Sequence, residues 1–196
     1  MTCPLPRRAL LALAPAALLA ACASPLPTPY RLTAQPGTPN PGPTARIAVR
    51  EVGIPSYLGQ AGLLKPSQGN ALNVYDNAAW AGDIGQQLQE VMVEDLSQRL
   101  PNAQILASTG AIGAPPDLYL ELQLLDFAPD ATGTLHLSVQ LAVRPANVPP
   151  QSPAWRLKSL ALTAPGATSP QGLASAMSAL WAQTADAALP LLTGSP

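Results

Sequence analysis

Apolar and polar positions alternate most regularly between residues 118 and 144. Leu118, Leu120, Leu122 and Leu124 share one side of a strand over 118–127, and Leu135, Leu137, Val139, Leu141 and Val143 share one side of a strand over 134–144. Pro129, Asp130 and Gly133 lie between them and predict a hairpin. Residues 46–52 alternate in the same way, with Ile47 and Val49 on one side and Ala48 and Arg50 on the other. Residues 72–75, 104–107 and 155–163 read as further strands, and the glycine-containing stretch between the first two strands reads as a loop. Elsewhere the period changes to that of a helix. Trp80, Ile84, Leu88, Met92, Leu96 and Leu100 recur every fourth residue with Val91 beside them, Asn77 is the expected N-cap, and Pro101 limits continuation. A closing helix starts at Ser169 as N-cap with Pro170 in its first position. Its apolar stripe is Leu173, Met177, Leu180, Trp181, Thr184 and Ala188.

This order of elements predicts an α+β domain: a single mixed, largely antiparallel sheet with two helices packed on one face. The opposite face would carry Tyr119, Glu121, Gln123, His136, Ser138 and Gln140, which is amphipathic without being strongly charged. In the closing helix Asp186 is the sole charged residue, and its outer side is mostly Ala and Ser. A helix with so little polar surface is covered on two sides or reflects an alanine-rich composition. A subunit contact, and with it a homo-oligomer, is one of these two readings.

The first 22 residues follow a different logic. Arg7 and Arg8 precede the uncharged stretch 9–21, and Leu19-Ala20-Ala21-Cys22 resembles the lipobox of bacterial lipoprotein signal peptides. The apolar run is shorter than the roughly 20 residues that a membrane span requires. Residues 1–21 are therefore expected to be a signal peptide, with Cys22 as the lipidated first residue of the mature chain. Each buried CH₂ of an acyl chain adds about 0.8 kcal/mol of membrane affinity, so two or three chains would anchor the protein durably. Position +2 is Ala23 and not Asp, which in this pattern points to the outer membrane. Seven prolines between Ala23 and Ala45 suggest that 22–45 is a semi-rigid tether, at about 3.1 Å per residue and so at most about 70 Å long. Tyr30-Arg31-Leu32 inside it is a candidate edge strand over 30–33. The domain proper would then occupy 46–192, with 193–196 as a tail.

Processing would also change the charge and the thiol inventory. Loss of Arg7 and Arg8 leaves eight basic against eleven acidic residues, a net of about −3, and loss of Cys3 leaves only the acylated Cys22. A mildly acidic chain without a Lys/Arg run is a poor partner for nucleic acid. No disulfide framework or Cys-based metal site is open to it. His136 is the single histidine, so an enzyme of the hydrolase type would have to act through it, yet it stands mid-strand between Leu135 and Leu137. The carboxylate pairs Glu94-Asp95 and Asp126 with Asp130 are expected to face water, and no phosphate loop or metal motif is present. The expectation is a non-catalytic binding protein with no cofactor beyond the lipid on Cys22.

Several segments then carry a family resemblance. Arg46-Ile47-Ala48-Val49, the run from Val52 to Leu58, the run from Asn70 to Asp76, Trp80-Ala81 and the run from Glu94 to Pro101 resemble the ABC-type transport auxiliary lipoproteins, the PqiC family. The chain departs from the family pattern at Gly82-Asp83-Ile84 and at Lys65-Pro66, where an Arg nearby is common. The resemblance implies a periplasm-facing lipoprotein of the outer membrane, an auxiliary or docking subunit for an inner-membrane MCE-domain protein in lipid transport. Ile54, Pro55, Tyr57, Leu58 and Trp80 are the expected partner contacts. A lipoprotein that assembles or activates an envelope machine, such as a peptidoglycan synthase or a secretin, is the alternative.

Overall fold

The computed structural model describes residues 26–60, 62–149 and 154–194, so the signal segment, Cys22 and the last two residues lie outside the described residues. In chain order the elements are β1 (Thr28–Tyr30), β2 (Arg46–Val49), β3 (Gly62–Lys65), β4 (Asn73–Trp80), α1 (Ile84–Arg99), β5 (Gln104–Ala107), β6 (Leu118–Pro129), β7 (Leu135–Pro145), β8 (Arg156–Ala164) and α2 (Pro170–Thr193). They form an α+β fold with two sheets, where a single sheet was expected. The larger has the order β5-β2-β6-β7-β8; β2 runs parallel to β5 and β6, and β6, β7 and β8 are antiparallel. The smaller has the order β1-β4-β3, with β1 parallel and β3 antiparallel to β4.

The second sheet comes from two misread segments. Gly62-Leu63-Leu64-Lys65 sits in what reads as a loop, yet Leu63 and Leu64 are buried as strand residues of β3. Trp80 continues the four-residue spacing of α1 by coincidence, because it is the last residue of β4. Asn77 is accordingly an exposed strand residue. The helix is capped by Asp83, whose Oδ1 accepts from Gln86 N at 2.8 Å.

Both helices lie on the same face of the larger sheet, α1 against β2 and β5 and α2 against β6, β7 and β8. Leu120, Leu122 and Leu124 of β6 and the five apolar residues of β7 meet the expected stripes of the helices in one core. Trp181 joins the helices by donating from Nε1 to Leu88 O at 2.8 Å, and its ring lies 6.4 Å from that of Phe127. A register slip between Leu124 and Asp126 inserts Leu125 as an extra residue, so Phe127 and not Asp126 returns to the core. The β6–β7 hairpin turns at Gly133, which has φ +80° and leaves no room for a side chain beside Thr168.

The proline-rich segment is not a free spacer where it is described. The expected edge strand falls slightly earlier, at β1, and the chain beyond it runs as a strap against both helices, with Leu32 in the core. Prolines remove donors, and most of the remaining N–H groups named here are taken by helix side chains. Leu32 N donates to Gln87 Oε1 (3.0 Å), Thr33 N to Ser178 Oγ (3.1 Å) and Gln35 N to Asp95 Oδ1 (2.8 Å). Asn40 N donates to Arg99 O (2.7 Å), and Asn102 Nδ2 to Pro41 O (2.8 Å). The weak polar face of α2 thus has an intramolecular reason. Ala174, Ala176, Ala182 and Ala185 are buried within the chain, so the small-residue side of α2 no longer argues for a homo-oligomer.

Candidate docking surfaces and their ion-paired supports

The expected contact loop is bound to the fold more than it is offered to a partner. Tyr57 Oη donates to Asp126 Oδ1 at 2.6 Å and accepts from Phe127 N at 2.9 Å, which pins the loop to the bulge in β6. Burial, and then the hydrogen bond to Asp126, push the Tyr57 hydroxyl well above the usual tyrosine value. Leu58 and Trp80 are core residues, whereas Ile54 and Pro55 are half-buried. Ile54, Pro55 and Tyr57 alone of the five retain surface that a partner could reach.

A buried ionic cluster sits beneath the strap. Asp95, expected to face water next to Glu94, is fully buried; Glu94 alone is exposed. Arg99, one helical turn on, is buried with it. Arg99 Nε reaches Asp186 Oδ1 at 2.6 Å, and its Nη1 donates to Gln35 O at 3.1 Å and to Asp95 O at 3.0 Å. Asp95 Oδ1 is 3.4 Å from the same nitrogen, while Oδ2 has no protein partner. Desolvation raises the Asp95 carboxyl, against the lowering effects of the Gln35 N–H and the Arg99 charge. Gly37 crosses directly over the guanidinium, and a Cβ there would collide with it. One arginine thus holds α1, α2 and the strap together.

The open face of the larger sheet presents the same chemistry to solvent. Tyr119, Glu121 and Gln123 of β6 and His136, Ser138, Gln140 and Arg144 of β7 alternate with the buried leucines and valines. Arg144 Nε donates to Glu121 Oε1 at 2.9 Å, and its guanidinium stacks 4.3 Å from the Tyr119 ring centre and 5.6 Å from that of Trp155. Arg50 reaches Glu121 from the other side at 3.8 Å. Next to this cluster is a shallow depression of about 420 Å³ bordered by Leu157, which is 70% exposed. The depression itself is mixed, with the polar Arg50, Glu51, Glu121, Gln123 and Gln140 beside Leu157, while the adjoining arginine and aromatic side chains are residue types enriched at interfaces.

His136 is tied to the β6–β7 turn. Its Nε2 lies 3.0 Å from Asp130 Oδ2, while Asp130 Oδ1 accepts from Thr132 N, Thr134 N and the Thr132 hydroxyl. The Thr132 hydrogen bond and then that of His136 hold the Asp130 carboxyl well below the usual range. Among the described residues, no three His, Cys, Asp or Glu side chains converge on a point that could hold a metal, and no helix is long and apolar enough to cross a membrane.

Arg99 and Arg144 were not singled out from the sequence. Arg99 was findable, since Leu88, Met92, Asp95 and Arg99 follow one another along a single helical stripe. Arg144 was not, because Tyr119 and Glu121 of β6 and Trp155 reach it from separate parts of the chain.

Comparison with known proteins places this architecture. The family model for the ABC-type transport auxiliary lipoprotein component matches residues 30–188, which includes the strap from the last residue of β1 onward. No curated protein matches by sequence. A crystal structure of an uncharacterized protein superposes with a TM-score of 0.69 at 16% identity, covering 85% of this chain and 99% of the other. A Xanthomonas campestris protein of the family DUF330 gives 0.65 at 17%, covering 84% and 94%. A PelC dodecamer from Paraburkholderia phytofirmans gives 0.45 at 13%, covering 80% and 96%, and is too remote to bear on this chain's assembly. The two nearer structures support the fold, and the family model supplies the class, a membrane-associated auxiliary role in transport. The chain belongs to the ABC-type transport auxiliary lipoprotein family.

Proposed function

We propose that the protein is a non-catalytic docking subunit, held by lipid on Cys22 at the periplasmic side of the outer membrane. There it positions an inner-membrane MCE-domain protein for the movement of lipid between the two membranes. The family match over residues 30–188 carries the reading. The Leu19–Cys22 pattern and Ala23 support the anchor and its location. Two features support a binding role without chemistry: His136 and Asp130 are engaged in the hairpin, and Asp95 and Asp186 are engaged with Arg99.

The open sheet face around Arg144, Tyr119, Trp155 and Leu157 is the proposed partner surface, with the rim of the 54–58 loop beside Gly53 as its edge. Capture from envelope extract with the lipid-free domain tests this. Recovery of an MCE protein by the wild type and its loss with Arg144→Ala is the expected result. Recovery of synthase or secretin subunits without any MCE protein would replace this reading with that of an assembly factor. Function should also fail in Cys22→Ala although the domain folds; an equally active soluble form would remove the anchor from the mechanism.

A further inference from the structure

The described chain reaches β1 only six residues after Cys22, a span of at most about 20 Å when fully extended at about 3.3–3.6 Å per residue. The roughly 70 Å reach suggested by the proline content is therefore not available: the strap beyond β1 is held against the helices, and the domain stays close to whatever Cys22 is anchored in. The direction of approach is also set. β1 runs parallel to β4, with Thr28 beside Ala78 and Tyr30 beside Trp80. The chain upstream of Thr28 thus comes from the end at which β4 begins, which is the tip of the β3–β4 hairpin.

That end carries partly exposed aliphatic side chains, Val74 resting on Gly62 on one side and Leu72 bordering a cleft beside the β6–β7 turn. Leu26 is 92% exposed, Leu72 55% and Val74 39%, and residues 70–74 are all exposed. Leu72 and Val74 share a side of the chain, and across the hairpin Lys65 pairs with Asn73. Single exposed aliphatics such as Ile112 and Leu125 are ordinary on a protein surface; what sets Leu72 and Val74 apart is that they lie together at the end toward which the short linker runs.

We propose that the tip of the β3–β4 hairpin is a second, non-covalent membrane contact, in which Leu72 and Val74 enter the interface of the bilayer that holds the acyl chains of Cys22. The occupant is a lipid surface. The short linker supplies it at high effective concentration, so a small apolar patch is sufficient. Lys65, opposite Asn73, and the exposed Asp76 leave the tip with no net charge, which fits a zwitterionic headgroup. Two attachments orient the domain where one would leave it free to swing. This inference rests on the lipidation of Cys22.

The test uses the full lipidated protein in phosphatidylcholine vesicles. Mature protein has no free thiol, so Leu72→Cys, Val74→Cys and Leu157→Cys each accept a single environment-sensitive fluorophore. Emission at positions 72 and 74 should shift to the blue and be lost when the vesicles contain shallow doxyl-labelled phosphatidylcholine, while position 157 stays unquenched. Emission characteristic of water at positions 72 and 74 would overturn the proposal. So would a blue-shifted probe indifferent to doxyl lipid, since the patch would then be covered by a second copy or another protein. Mass measurement of the N-terminal peptide separates the two layers. An unmodified Cys22 would undo the anchor and the contact together, whereas an acylated Cys22 with an exposed hairpin tip would undo only the contact.

Discussion

Arg99 and Arg144 do opposite things with the same functional group. Each guanidinium meets carboxylate, Asp95 and Asp186 for the first and Glu121 for the second. Arg99 is sealed beneath the strap and spends its donors on backbone carbonyls and carboxylates of its own chain. Arg144 lies on an open sheet face with its flat side against Tyr119 and Trp155, and Arg50 shares its carboxylate. Removing one partner of a fully buried pair strands a charge in a dry site, whereas the Arg144 and Glu121 side chains keep 13% and 29% of their surface, so water reaches the charge that remains at lower cost. The first cluster is therefore a matter of folding, and the second is available for recognition.

Replacing Arg99 gives the largest expected effect. Arg99→Ala should cost about 3–5 kcal/mol in denaturant unfolding, because Asp95 is left buried without its cation. A loss below about 1 kcal/mol, typical of an exposed pair, would erase the contrast. Tyr57 stands between the two extremes. Tyr57→Phe should cost about 1–2 kcal/mol, since the Phe127 N–H loses its acceptor and Asp126 its donor. Its raised hydroxyl pKa adds a sign: the unfolded chain ionises first, so the wild type should lose stability as pH rises above the usual tyrosine value, and the Phe variant should lose less.

Asp95 makes a subtler prediction. Its folded carboxyl is raised, so ionisation disfavours the fold at neutral pH, and that penalty fades as pH falls toward the ordinary aspartate range. Melting temperatures measured across mild acid should show the wild type gaining relative to Asp95→Asn. A gap that is constant with pH would mean that Arg99 balances the burial. Arg144→Ala should cost less than Arg99→Ala, about 1 kcal/mol, because its partly buried pair with Glu121 still meets water, and the loss should shrink in high salt. Its effect belongs in partner capture, and an unchanged capture would move the docking face elsewhere.

The sequence exposed the parts of this fold whose period is undisturbed. The rows of β6 and β7 and the stripe of α2 were legible because each residue's side follows from its number alone. Even the polar face from Tyr119 to Gln140 followed from that alternation. Legibility failed where a local signal had two meanings. Glycines around Leu63 and Leu64 read as loop although their apolar pair is a strand, and Trp80 fell into step with a helix that begins only after Asp83. Prolines 36, 39, 41 and 43 read as spacer because composition reports which bonds a segment cannot make to itself. It does not report that Gln87, Ser178 and Asp95 will make them from outside. The ion clusters were hidden for a related reason: Asp186 lies 87 residues from Arg99, and no local pattern spans that distance.

The strap also has a bearing on the order of events during biogenesis. Thr33 is bonded to Ser178, 145 residues later, and Gln35 to the carboxylate that the Arg99 cluster holds. The strap can meet β4 and α1 earlier, but its seat is complete only when the last helix supplies Ser178 and Asp186. Contacts so distant in sequence form late. Under the proposed lipidation of Cys22, the fold would still be incomplete during export and the N-terminus would be open to acylation. The domain closes over its own beginning only once the end has arrived.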